Sequence, residues 1–173
     1  MSIERFNEIL QWIEPYAKDG HCRIGIIGGE PTLNPNFESI MEYTNNFCNK
    51  YNCSSILFTN GIKLTSDLIK VIPDKMRILL NYNTPSIYRP EDLEQLHKNI
   101  QLLADLGWLY NKMSLGLTMC ERINDYSYFK EIIKKYNLKH FRLGIDKANG
   151  NLNQDYIFTM KEKFLDIIDF SIA

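Results

Sequence analysis

The sequence lacks any apolar run long enough to cross a bilayer. Its longest, such as residues 24–27, have the length of a strand, whereas a membrane helix needs about 20 apolar residues. No secretory leader is expected either, because Glu4, Arg5 and Glu8 interrupt the N-terminal stretch. Neither charge is in excess: 20 Lys and Arg stand against 21 Asp and Glu, for a net charge of -1. That balance offers nothing to displace counterions from a phosphate backbone, so nucleic acid is not an expected partner. Cysteine is sparse, with Cys22, Cys48, Cys53 and Cys120 scattered along the chain. With no leader, they read as free thiols in a reducing, cytoplasmic compartment. His21, His97 and His140 fall on different elements without ligand spacing, which speaks for surface or packing roles and against a metal site. Asn52-Cys53-Ser54 matches a glycosylation acceptor only by chance when no secretory route exists. Low-complexity stretches, linkers and internal repeats are all missing.

What remains is an ordinary globular composition, 45% hydrophobic and 24% charged over 173 residues, which suits a single domain spanning 1–173. The ten tyrosines read as core and helix-face packing rather than as a base-stacking platform. Helical and strand periodicities alternate along the chain. Ser2 caps a helix with Ile3, Phe6, Leu10, Ile13 and Ala17 on one face, ended by Gly20. A short β-branched run over 23–27 reads as a buried strand bounded by Gly28-Gly29. Asn34-Pro35 offers the cap and first turn of a helix carrying Phe37, Ile40, Met41, Thr44, Phe47 and Cys48. Further strands are expected over 55–59, 76–82, 113–119 and 140–145. Between and after them come a short helix from Thr65 or Ser66 and longer ones from Pro90, over 125–136 and over 156–170. Five strands, each followed by a helix, imply right-handed crossovers and a parallel sheet covered by helices. An open doubly wound sheet and part of a barrel both satisfy this pattern.

In parallel sheets, ligands gather at the carboxyl ends of the strands, so those ends carry the functional information. The first strand runs into Gly28-Gly29-Glu30-Pro31-Thr32-Leu33-Asn34-Pro35. Two residues without Cβ let a ligand approach the backbone closely, and free carbonyls at a strand end accept hydrogen bonds from an ammonium group. A tight turn before a capped helix is the competing account of the same glycines. Glu30 has two readings as well, as a ligand-facing carboxylate or as a group favoured by a helix dipole. Asn81 and Asn83 either face a ligand or close a turn before Pro85. Arg142, between Phe141 and Leu143, is either a site residue or an ordinary surface residue at the sheet edge.

The run GGEPTLNP at 28–35 resembles the GGEP segment that follows the second barrel strand of radical S-adenosylmethionine enzymes, and SILFTNG at 55–61 resembles that family's third-strand segment ending in Thr-Asn-Gly. The resemblance extends over nearly the whole chain. It implies an α/β fold, a partial (β/α)6 TIM-like barrel of parallel strands, here five strands with outer helices. It also implies S-adenosylmethionine as cofactor, with Gly28, Gly29, Glu30 and Pro31 at its amino group. Thr59, Asn60, Asn81, Asn83, Thr118 and Arg142 would then stand at the ribose, carboxylate or adenine. Members cleave that cofactor to make a 5′-deoxyadenosyl radical, which abstracts hydrogen from a small-molecule or peptide substrate. The chemistry uses a 4Fe-4S cluster on three cysteines spaced CxxxCxxC after the first strand, because thiolates are the soft ligands such clusters take. This sequence has no such triplet, and Met1 falls just before the family's first helix. The resemblance therefore implies a barrel without its first strand and cluster loop, inactive on its own. The alternatives are a non-catalytic S-adenosylmethionine or nucleotide-binding module, a partial barrel completed by a partner, or an unrelated α/β enzyme in which GGEP only shapes a turn. The 23–27 strand would keep an apolar open edge, from which self-association is expected.

Overall fold

The computed structural model describes residues 1–18, 22–120, 123, 125–138, 140–145 and 154–172. The expected helix stop at Gly20 and the packing role of His21 lie outside them. Helix α1 (Ile3–Ala17) starts where the Ser2 hydroxyl accepts the Arg5 N–H at 3.3 Å, and it buries Phe6, Leu10 and Ala17. Strand β1 (Arg23–Ile26) leads through a 3-10 turn (Pro31–Leu33) to α2 (Phe37–Tyr51). That helix begins later than Asn34-Pro35 promised. Asn34 Oδ1 accepts the Asn36 N–H at 2.9 Å, and this Asx turn spends the polar cap on redirecting the chain. Asn52 in the left-handed region, φ 52°, ends α2 and starts β2 (Ser54–Thr59).

The remaining units are α3 (Ser66–Val71), β3 (Arg77–Asn81), α4 (Pro90–Asp105), α5 (Trp108–Asn111), β4 (Met113–Met119), α6 (Ser127–Tyr136), β5 (Phe141–Ile145) and α7 (Gln154–Ile172). The one-turn helix α5 had no separate signal in the sequence. It is split from α4 by Gly107 at φ 71°, a position a side chain rarely adopts.

All five strands are parallel and run β1-β2-β3-β4-β5 in space as in sequence. A doubly wound sheet must reverse its strand order somewhere; this one does not, so the ambiguity left by periodicity resolves to the barrel type. Right-handed crossovers that always step the same way place every helix on one face. Ile24, Ile26, Leu57, Ile78, Leu80, Leu115 and Leu117 fill that face and form the core with Phe6, Met41, Ile100, Leu103 and Phe129. The alternate residues Gly25, Ile56, Phe58, Leu79, Gly116 and Thr118 line the other face, the inner wall of an open partial barrel.

Among the described residues, β1 pairs on one side only. Along its free side an apolar groove of about 480 Å³ runs past Phe6, Leu10, Ile13 and Ile24 to Gly28 and Gly29. No helix among the described residues is long and apolar enough to cross a membrane.

Candidate functional site

The site is built at the carboxyl ends of the strands. Gly28 and Gly29 follow β1 and are exposed. Neither has a left-handed φ, and a Cβ built on either would meet nothing within 4 Å. Neither backbone conformation nor packing therefore calls for glycine at these positions. What glycine provides there is an uncovered backbone beside the groove.

The Glu30 carboxylate, also at the groove, is engaged within the chain. Its Oε1 accepts hydrogen bonds from Thr32 N at 3.3 Å, Thr32 Oγ1 at 2.7 Å and Thr59 Oγ1 at 2.7 Å. Its Oε2 accepts the Asn60 N–H at 2.7 Å. Glu30 thus caps the 3-10 turn that Pro31 opens and clamps the loop after β1 to the loop after β2. The capping account holds for this carboxylate, which also ties down the neighbouring loop.

The loop after β2 is closed on itself. Thr59 is buried and its hydroxyl also accepts the Gly61 N–H at 3.0 Å, while Asn60 Oδ1 accepts the Ile62 N–H at 3.0 Å. Gly61 stands at φ 76°, and a Cβ there would come within 2.7 Å of Leu80 Cδ1 and 2.9 Å of Leu96 Cδ1. Asn99, a buried polar residue of α4 that the sequence did not single out, donates to Gly61 O at 2.8 Å and Ile62 O at 3.0 Å. Its signal was one Asn placed on the apolar stripe of a helix.

Asn81, Gly116 and Arg142 stand side by side in one row across β3, β4 and β5. A Cβ on Gly116 would sit 3.1 Å from Asn81 Oδ1, so the glycine makes room for the Asn81 amide on the inner wall. Thr118 and Arg142 are exposed. Asn83 lies just beyond β3, where its N–H donates to Tyr88 Oη at 3.1 Å; this holds the turn before the helix, in line with the turn reading. Behind the row, on the helix side, buried Tyr82 shares a 2.9 Å hydrogen bond with His97. Burial pushes the Tyr82 phenol up to about 12 and holds the His97 imidazole below its usual value, so both are neutral near pH 7. His97 has the packing role its sequence context implied. His140 is exposed.

The described residues offer no fit for an iron–sulfur cluster at this end of the sheet. Cys120 alone follows a strand there, Cys22 and Cys53 precede β1 and β2, and Cys48 is buried on α2. No group of three metal-ligating side chains occurs among the described residues.

Order, direction and sidedness together define an open partial barrel of parallel strands with its helices on one face. Among solved structures, Streptococcus suis SuiB bound to S-adenosylmethionine has this fold: the TM-score is 0.64 at 14% identity, over 95% of this chain and 40% of that one. SuiB bound to precursor peptide SuiA gives 0.64 at 13% identity, covering 95% and 39%. The likeness is one of fold, and the chain spans about 40% of the length of SuiB. No family model matches the sequence, and no curated protein matches it.

Proposed function

We propose that this chain is the S-adenosylmethionine-binding part of a radical S-adenosylmethionine enzyme. The observation that carries the reading is the exposed Gly28-Gly29 backbone at a strand carboxyl end, where nothing among the described residues calls for glycine. Here the backbone carbonyls of that loop accept the cofactor's ammonium group, with Pro31 fixing the turn behind them. Glu30 and Thr59 hold Asn60 in place rather than facing the ligand, and Asn60, Asn81, Asn83, Thr118 and Arg142 supply polar contacts along the rim. In such enzymes the bound cofactor supplies a 5′-deoxyadenosyl radical for hydrogen abstraction from substrate. Lacking a place for the cluster, this chain binds without cleaving. The precursor peptide bound to SuiB favours a peptide as substrate of the complete enzyme over a small molecule.

A second reading rests on the groove beside β1. It ends at Gly28-Gly29, so a strand added there would bring its own carboxyl end next to the proposed cofactor loop. The chain then acts as a partial barrel completed by another polypeptide, or by a second copy through the open edge. Titration calorimetry with S-adenosylmethionine tests the first reading: saturable heat with one cofactor per chain is expected, and a flat titration overturns it. Sedimentation at rising concentration tests the self-association arm, where a persistent monomer counts against it.

A further inference from the structure

Two cysteines that are far apart in sequence, Cys22 and Cys53, meet at the other end of the sheet. Arg23 pairs with Ser54 in the parallel register, so Cys22 and Cys53 face each other one residue earlier, and the Ser54 N–H donates to Cys22 O at 3.3 Å. Cys22 and Ile24 share a face of the first strand, as do Cys53 and Ser55 of the second. Since Ile24 and Ser55 are buried under the helices, both thiols point to the helix side. Adjacent strands lie about 4.8 Å apart, inside the roughly 4.4–6.8 Å of Cα separation that a disulfide spans. Cys48 joins them from α2, its carbonyl accepting the Cys53 N–H at 3.0 Å. Cys22 and Cys53 are each half-buried, whereas Cys48 is buried.

We propose that Cys22 and Cys53 form a dithiol oxidation site, closing to a reversible disulfide across the amino ends of β1 and β2 with a peroxide as the two-electron oxidant. The Cys22 thiolate attacks one peroxide oxygen and breaks the O–O bond, giving a sulfenic acid and releasing one water after proton uptake. Cys53 then attacks that sulfur, the S–S bond forms, and the sulfenic oxygen leaves as a second water. Two thiols are oxidised and one peroxide is reduced. The order of attack follows from the surroundings of Cys53. Burial and the charge of the neighbouring thiols raise its pKa to about 11, and its Sγ donates to Tyr51 O at 3.7 Å, so it keeps its proton and serves as the resolving thiol. The bond ties the edge strand β1 to its only partner among the described residues, at the end of the sheet away from the candidate site. The proposal does not rest on the cofactor reading.

The test treats the whole chain with hydrogen peroxide, blocks the remaining thiols by alkylation, and maps the products by mass spectrometry without reductant. Free thiols are expected to fall from the four of the reduced chain to two, with one intramolecular Cys22–Cys53 link that dithiothreitol reverses. In Cys53→Ser the link is lost and a sulfenic acid on Cys22 becomes trappable by dimedone. Retention of all four thiols, a link through Cys48 or Cys120, or a link between two chains overturns the proposal.

Discussion

The loops after β1 and β2 both carry glycine, and the two stand in opposite circumstances. Gly61 is required by the chain itself: its φ is 76°, and Leu80 and Leu96 occupy the space of a side chain. Among the described residues, nothing requires Gly28 and Gly29. One loop is a finished piece of architecture, with Thr59, Asn60, Gly61 and Asn99 hydrogen-bonded into a bracket. The other is an open backbone held at its base by the Glu30 clamp. A glycine with an internal reason says little about function. A glycine without one points outward, to something that must approach.

Substitutions turn this contrast into numbers. Gly61→Ala is expected to have the largest effect, about 3 kcal/mol of lost stability, from left-handed strain plus overpacking; urea unfolding measures it. Glu30→Ala comes next, at about 2 kcal/mol, because the Asn60 N–H and the Thr59 hydroxyl lose their charged acceptor. Asn99→Ala is expected to cost about 1.5 kcal/mol, since two carbonyls of the bracket lose their donor. At the open loop, Gly28→Ala and Gly29→Ala should each change stability by less than about 0.5 kcal/mol, as exposed substitutions do. An equal cost at Gly28 and Gly61 would erase the contrast.

The smallest effect is a pH dependence at His97. Burial lowers its pKa in the fold, so the folded state binds fewer protons than the unfolded chain near pH 6.5. Its neutral form is accommodated above that pH, and stability is expected to fall as the pH drops below it. Urea midpoints at about pH 7.5 and pH 5.5 measure this, and the difference should shrink in His97→Gln.

Much of this was legible in the sequence, and the physical reason is local. Met113 to Met119 was bounded correctly because Met113, Leu115, Leu117 and Met119 alternate with Ser114, Gly116 and Thr118 at the strand period. The cap at Thr65 and Pro90 at the first turn of α4 were readable from side chains that act on their own backbone. Barrel against doubly wound sheet was not readable, because strand order in space is a property of tertiary packing. The start of α2 was misjudged since an Asx turn and a helix cap use the same Asn34 side chain. At the site, Gly28-Gly29 was legible as an opening, whereas the clamp from Glu30 to Thr59 and Asn60 joins residues 29 and 30 positions apart. The four cysteines read as scattered, yet parallel register brings Cys22 beside Cys53. Long-range pairing is what periodicity leaves out.

The central claim is that the glycines after β1 are kept for a ligand. Its most direct test is calorimetric titration of S-adenosylmethionine into the native chain and into the double variant Gly28→Val, Gly29→Val, with thermal unfolding run on both. Saturable heat from the native chain, lost in a variant that unfolds at the same temperature, is the expected result. Equal heats from the two proteins would contradict the claim, as would a native chain that gives no heat.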